Sequence, residues 1–367
     1  MKTILLIAGG RQGTLLLAPL YQELTTRGGY RPVPVIADTE GDCRQADGIV
    51  AFFGIGSDLQ TVALPEGTVA QETAMAMTEL ETIIASHAPD LVMICGCDSA
   101  SMAAAVTAAK LGIPVAAVDA GLRSYDRREY AEINRMIIDT VADFHFVSER
   151  SGEYNLINEG VSDGQLHFAG NLSIDSLVSL MQEVNRLTVT TDLGVEPKKY
   201  AMLLLNRSEQ CIEKGYLDKL LHLLAEIAGQ IVVLMPLTSG METAMKRYEL
   251  YEAFTAISGL RMFEPQSYTA QLRLLKDSAL LITDADELQS EATVMNVPCL
   301  TMSESSSRPS TIEIGTNVLV GEDEEEILSR VHDIFSAEDH SPRRSKIPEK
   351  WDGASAARVV DVLDRVL

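Results

Sequence analysis

Basic residues and cysteine are scarce in these 367 residues, long apolar runs are missing, and each shortage removes a class of protein. Lys and Arg number 30 against 53 Asp and Glu, a formal charge of −23. That balance argues against nucleic acid or an acidic membrane surface as partner, since either needs a patch of cations to meet phosphates. It leaves room for a small anion, which needs a local basic pocket and no more. The five cysteines, Cys43, Cys95, Cys97, Cys211 and Cys299, are an odd set in a long chain, which speaks against a disulfide framework. No Cys/His pair has zinc-type spacing, and residues two apart on a strand, as Cys95 and Cys97 would be, point to opposite faces; no metal site is expected. No apolar stretch approaches the length needed to cross a bilayer. The opening MKTILLIAGG has one Lys before an apolar run too short for a signal peptide, lacks a small-residue cleavage site and leads into a Gly-rich turn. It reads as a first buried strand, and a cytoplasmic location is expected.

What is present is a globular composition, 46% hydrophobic and 23% charged, in a chain long enough for two domains. Short apolar runs alternate with helix-like segments: KTILLIAG then LLAPLYQELTTRG, DLVMICG then SASMAAAVTAAKLG, VAAVDAG then INRMIIDTVA. Strands apolar on both faces and separated by helices indicate a parallel sheet covered on both sides. The pattern resets near residue 200 with YAMLLLN, QIVVLMP, ALLITDA and VPCLTMS. The expected architecture is α/β, two Rossmann-like doubly wound domains facing a central cleft, over residues 1–172 and 195–345. A linker is expected near 172–195, where periodicity weakens and Gly194 and Pro197 punctuate. The basic segment SPRRSKIPEKW then crosses over, and an amphipathic helix within 352–367 packs back on the first domain. The acidic run EDEEEIL suits the first turn of a helix.

Ligands of open parallel sheets bind beyond the carboxyl ends of the strands, so the chemistry is sought in the loops there. These are GGRQGT, CGCDSAS, VDAGLRSYDRREYAEINR, LLNRSEQ, TDADELQSEA and SESSSRPS. In TDADELQSEA two acids, Asp286 and Glu287, stand where a helix begins. That end carries partial positive charge and free amides, and in many nucleotide-binding folds it receives a phosphate.

In order, these loops resemble the non-hydrolysing UDP-N-acetylglucosamine 2-epimerase family. The strongest match is VDAGLRS…EINR at 118–135, similar to V-E-A-G-L-R-S…E-E-I-N-R. It is joined by GRxxxxxLAPL, KLGIPVAAV, HFVSERS…NLINEGV, GNLSIDSL, EPQSY and SRPSTIEIGTNVLVG. The resemblance implies the glycosyltransferase type-B fold, a homodimer, and two domains that close around the substrate about a hinge near 172–195. It implies interconversion of UDP-GlcNAc and UDP-ManNAc without cofactor, by elimination and re-addition of UDP. Carried over position by position, it implies Asp119, Asp98 and Glu132 as catalytic candidates, with Glu129 as a further acid near them. Arg11 and Arg308 would meet the diphosphate, Gln266 the uracil and Glu291 the ribose, while Arg123, Asn134, Arg135 and Asn206 complete the matched motifs.

Several positions depart from the pattern. Asp119 is a shorter carboxylate than the family Glu. Cys97 stands where the family has a catalytic Asp, with Asp98 one residue on. Ala131 replaces a Glu, Asn206 and Thr238 each replace a His, and Leu16 replaces a Lys. Ala285, Asp286 and Glu287 replace the Ser-Gly-Gly that lets backbone amides approach a phosphate. Two carboxylates at an anion site each repel it by about 1 kcal/mol in water and roughly 4 at an effective dielectric of 20, for charges ~4 Å apart. A catalytically silent relative that keeps the fold for binding or assembly, and a glycosyltransferase, therefore stand as alternatives.

Overall fold

A computed structural model describes residues 1–39, 43–56, 58–64, 67–206, 212–336 and 346–367. Cys211, positions 207–210 of the loop LLNRSEQ and positions 341–345 of the basic segment fall outside them. The chain divides into two compact units, Met1–Leu180 with Pro348–Leu367, and Met181–Ile347.

The first unit is built on a seven-stranded sheet of β1 (Lys2–Ala8), β2 (Tyr30–Thr39), β3 (Gln60–Leu64), β4 (Leu91–Cys95), β5 (Val115–Val118), β6 (Phe144–Val147) and β7 (Leu166–Phe168). The order is β3-β2-β1-β4-β5-β6-β7 with every neighbouring pair parallel. Leu91 to Cys95 are buried without exception, which is why the central strands read as continuous apolar runs with no alternation. Helices α1 (Gly10–Arg27), α2 (Cys43–Phe52), α3 (Val69–His87), α4 (Ser99–Lys110), α5 (Tyr130–Val141) and α6 (Arg150–Asn158) supply the crossovers. Helix α4 buries Ala103, Ala104, Ala105 and Ala108, and their small side chains let it pack between α3 and α5 as well as against the sheet.

The second unit repeats the plan with six parallel strands: β8 (Tyr200–Leu204), β9 (Val232–Pro236), β10 (Leu260–Phe263), β11 (Leu280–Thr283), β12 (Cys299–Thr301) and β13 (Asn317–Leu319). Their order is β10-β9-β8-β11-β12-β13. The stretch read as a linker holds two helices, α7 (Leu172–Val184) and α8 (Val189–Asp192). Ile174, Leu177, Leu180 and Val184 are buried on α7, at spacings of three and four that continue a helical face the polar residues between them obscure. Within the second unit follow α9 (Lys214–Ala228), α10 (Ser239–Arg247), α11 (Tyr251–Thr255), α12 (Tyr268–Asp277), α13 (Asp286–Met295), α14 (Pro309–Glu313) and α15 (Glu324–Ser336). The acidic run supplies Glu324, Glu325 and Glu326 to the first turn of α15, the favourable end of the helix dipole.

In each sheet the order of connection reverses once, between β1 and β4 and between β8 and β11. Helices leave in opposite directions there and open a crevice at the strand ends. At the first of these points the backbones are close: a Cβ on Gly13 would lie 2.6 Å from the Cys95 carbonyl oxygen and 2.9 Å from Ala8 Cβ.

The final helix α16 (Ser355–Val366) belongs to the first unit. It packs on α1, with Arg27 reaching Asp361 at 2.5 Å and Asp364 at 2.9 Å. Ahead of it the sole tryptophan, Trp351, is buried and donates from Nε1 to the Ser148 carbonyl at 2.9 Å. Replacing Trp351 by Phe leaves that buried carbonyl without its donor. The expected loss is about 1–3 kcal/mol in urea unfolding followed by circular dichroism, with an unchanged dependence on denaturant.

Candidate functional site

At the reversal in the first sheet, Arg11 lies in the opening turn of α1, partly exposed, and Asp98 is the N-cap of α4. Asp98 accepts from the Ser101 amide at 2.9 Å and the Ser101 hydroxyl at 2.7 Å. Gly9 makes room for it, since a Cβ there would stand 2.2 Å from the Asp98 carboxyl carbon. The Asn134 side chain donates to the Cys97 carbonyl at 2.9 Å, tying α5 to the same turn. Asp98 therefore serves as a helix cap within a Gly-lined corner.

Asp119 directly follows β5 and has φ 57°, a left-handed conformation in which a non-glycine residue is uncommon. Its charge lies near Cys95, whose thiol is pushed up by burial first and then by Asp119. Beyond it the loop is pinned at several points. Gly121, at φ 78°, passes so close to α6 that a Cβ would fall 2.3 Å from the Gly152 carbonyl oxygen. Arg123 is buried and binds Glu159 through Nε at 2.9 Å and Nη2 at 2.6 Å, and Asp139 through Nη1 at 2.7 Å. The Gly121 amide also donates to Asp139, at 3.0 Å. Burial pushes the Asp139 carboxyl above its ordinary range, and the Arg123 guanidinium opposes that rise.

Glu132, 1% exposed, takes donors from the amides of Ser124 at 2.9 Å and Tyr125 at 3.0 Å, from the Ser124 hydroxyl at 3.3 Å and from Arg135 at 3.2 Å. Glu129, exposed at the N-cap of α5, accepts from the same hydroxyl at 2.9 Å. Arg123 and Glu132 thus hold the loop after β5 in one shape.

At the reversal in the second sheet, the amide of exposed Asn206, beyond β8, donates to Asp284, beyond β11, at 2.7 Å. Helix α13 starts at Asp286, and its N-cap Ala285 offers no side-chain cap. Asp286 turns across to the loop before α14, accepting from the Ser307 hydroxyl at 2.5 Å and its amide at 3.3 Å, and from Gln289 at 2.9 Å. Buried Gln289 in turn accepts from Ser306 at 2.6 Å and Asn317 at 3.0 Å, and Asn317 accepts from Thr301 at 2.6 Å. Arg308 follows, buried, as the residue before Pro309. Glu291 is buried and accepts from the Tyr268 hydroxyl at 2.7 Å. Gln266 is exposed, its amide donating to the Glu264 carbonyl at 2.8 Å.

Each unit thus gathers its nominated residues at the carboxyl ends of its own strands: Arg11, Asp98, Asp119, Arg123, Glu132, Asn134 and Arg135 in the first, Asn206, Gln266, Glu291 and Arg308 in the second. Of the departures noted above, Leu16 is core and Thr238 caps α10 by accepting the Met241 amide. Among the described residues no group of three His, Cys, Asp or Glu is placed to hold a metal ion.

The partners Asp139, Glu159, Gln289 and Asn317 escaped the sequence reading. Glu132 and Asp139 lie seven apart on α5, hence on one face, so two acids on a face that is buried carried a signal. The contact of Asp286 with Ser306 and Ser307, some twenty residues on, carried none.

The sequence matches the family described as UDP-N-acetylglucosamine 2-epimerase over residues 45–364. It is 28% identical over 348 residues to the UDP-N-acetylglucosamine 2-epimerase of Methanococcus maripaludis, covering 93% of each chain. It is 25% identical over 375 residues to the enzyme of the same name from Escherichia coli K12, covering 98% of each. The crystal structure of Methanocaldococcus jannaschii UDP-GlcNAc 2-epimerase in complex with UDP-GlcNAc and UDP superposes with a TM-score of 0.89 at 26% identity, over 100% of both chains. The two parallel sheets with their helices are those of the glycosyltransferase type-B class.

Truncating Arg123 to Ala strands the buried Asp139 carboxylate, and the expected cost is about 3–5 kcal/mol at neutral pH. An acid whose folded pKa is raised is most stabilising when protonated and loses that contribution as pH rises. The deficit of Arg123→Ala should therefore shrink as pH falls through the Asp139 titration, measured by urea unfolding at several pH values.

Proposed function

The chain belongs to the UDP-N-acetylglucosamine 2-epimerase family, and on that premise we propose that it interconverts UDP-GlcNAc and UDP-ManNAc. A base takes the C2 proton and the C1–O bond breaks with its electron pair leaving on UDP, giving a 2-acetamidoglucal. UDP then adds back while a proton returns to the other face of C2. The sum is redox-neutral, an isomerisation that asks for proton transfer and a cradle for the diphosphate but no cofactor.

Asp119 carries this reading. Its left-handed backbone is a strained placement that the surrounding loop has to maintain, and such strain gathers at functional sites. We assign it the proton transfer at C2. Asp98 and Glu132, whose oxygens already take donors from Ser101, Ser124 and Tyr125, hold the turns around it, and exposed Glu129 is the second acid within the same loop. Arg11 and Arg308 take the diphosphate as charged forks, Glu291 the ribose, and Gln266 the uracil. Asn206 lines the turn beside Asp284. The relatives' shared name and the nucleotide ligands in the Methanocaldococcus jannaschii structure support the activity. A homodimer in the cytoplasm goes with it, and light scattering that gave a monomer mass would remove the dimer.

Glu287 in place of a glycine, with Leu16, Asn206 and Thr238 in place of a Lys and two His, favours a second reading, a silent relative with a weakened diphosphate site. One assay separates the two. Incubation with UDP-GlcNAc in D2O should yield UDP-ManNAc carrying deuterium at C2, and Asp119→Asn should lower kcat by about 100-fold or more while UDP still binds. Absence of UDP-ManNAc, glycal and free UDP from the natural protein would reject the catalytic reading.

A further inference from the structure

The Asp286 carboxylate stands in the first turn of α13, yet the groups it binds belong mostly to another loop. Oδ2 takes the hydroxyl and amide of Ser307 at 2.5 and 3.3 Å, and Oδ1 takes Gln289 at 2.9 Å and the Ser306 hydroxyl at 3.4 Å. Ser306 and Ser307 are the two residues before Arg308. The Ser306 hydroxyl also accepts the Arg308 amide at 3.0 Å, and the Arg308 carbonyl accepts from Thr311 at 2.8 Å. The backbone that delivers Arg308 is therefore suspended from Asp286 on one side and Gln289 on the other. Arg308 is 4% exposed, and the following Pro309 bars its backbone from the helical region, leaving it at φ −122° and ψ 68°. The position of the side chain therefore follows from the clasp before it.

Glu287, one residue on, is a different case. Its side chain is partly exposed, and its carboxylate takes no donor among the described residues. Two neighbouring acids with the same charge thus have opposite structural commitments, and this decides what each does to an anion. A carboxylate that already takes four donors directs its lone pairs at those donors, whereas one without donors presents its charge to whatever comes near.

We propose that Asp286 is a positioning residue: by clasping Ser306 and Ser307 it sets Arg308 in place for the diphosphate, so that an acid at this turn supports anion binding. The inference rests on the proposed epimerase activity and goes beyond it in assigning a role to a side chain that stands where the family pattern has glycine.

The test is UDP affinity by calorimetry together with steady-state kinetics on the full chain. Asp286→Ala should weaken UDP about tenfold or more and raise KM for UDP-GlcNAc by a similar factor, leaving kcat within about twofold. Combining it with Arg308→Ala should add little to the loss from Arg308→Ala alone, because the two residues act as one unit. Asp286→Asn, which keeps an acceptor for the Ser307 hydroxyl, should recover part of the affinity. Glu287→Gln removes an equal charge from the same turn and should leave UDP binding unchanged or tighter, with its melting temperature and that of Asp286→Ala confirming that both variants fold. Unchanged or tighter UDP binding by Asp286→Ala, in a protein whose natural form binds UDP and turns over, would overturn this inference and leave the activity standing. Failure of the natural protein to bind UDP at all would overturn both.

Discussion

Backbone amides in the loops at the strand ends must find acceptors, and in this chain buried or half-buried side chains from neighbouring helices supply them. The loop after β5 gives the amides of Ser124 and Tyr125 to Glu132 and that of Gly121 to Asp139, while Arg123 closes the circuit to Asp139 and Glu159. The loop before α14 gives its Ser307 amide to Asp286, and its hydroxyls to Asp286 and Gln289. An amide left without a partner in such a place costs on the order of 1–3 kcal/mol, so each loop has one shape that satisfies it and few near rivals. Because the candidate ligand-binding groups sit on these loops, their geometry follows from these buried polar contacts more than from the apolar core below.

That dependence separates acids by duty. Asp98, Glu132, Asp139 and Asp286 take donors from nearby amides and hydroxyls and act as parts of the scaffold. Asp119 stands in a left-handed conformation at a strand end, beside a thiol that burial first and the Asp119 charge second disfavour from ionising. A formal charge of −23 says nothing of this division, since a carboxylate bound by neutral donors and a carboxylate facing solvent count alike. The acidic turn of α13 shows the difference within two residues. Asp286 is absorbed into the structure of a neighbouring loop, and Glu287 is not.

The sequence by itself determined the two α/β units, since runs such as Leu91–Cys95, apolar on both faces, have no stable place outside the middle of a covered parallel sheet. It also determined the strand-end loops as the seat of the polar residues, and the start of α13 at Asp286, because the switch from strand to helix is written in local periodicity. The short edge strands β7 and β13, at three residues each, and the helix α7 over the expected linker are poorly marked, since a few residues or a face interrupted by polar ones leave little periodic signal. Tertiary structure alone decided which partner each polar side chain takes. Arg123 finds Glu159 thirty-six positions away and Asp286 finds Ser307 twenty-one positions away, and such pairs depend on how crossovers fold back over the sheet. Residue type and spacing state what chemistry a side chain offers. Whether that chemistry is spent on the fold or kept for a ligand is settled by the donors and acceptors that packing brings within about 3 Å.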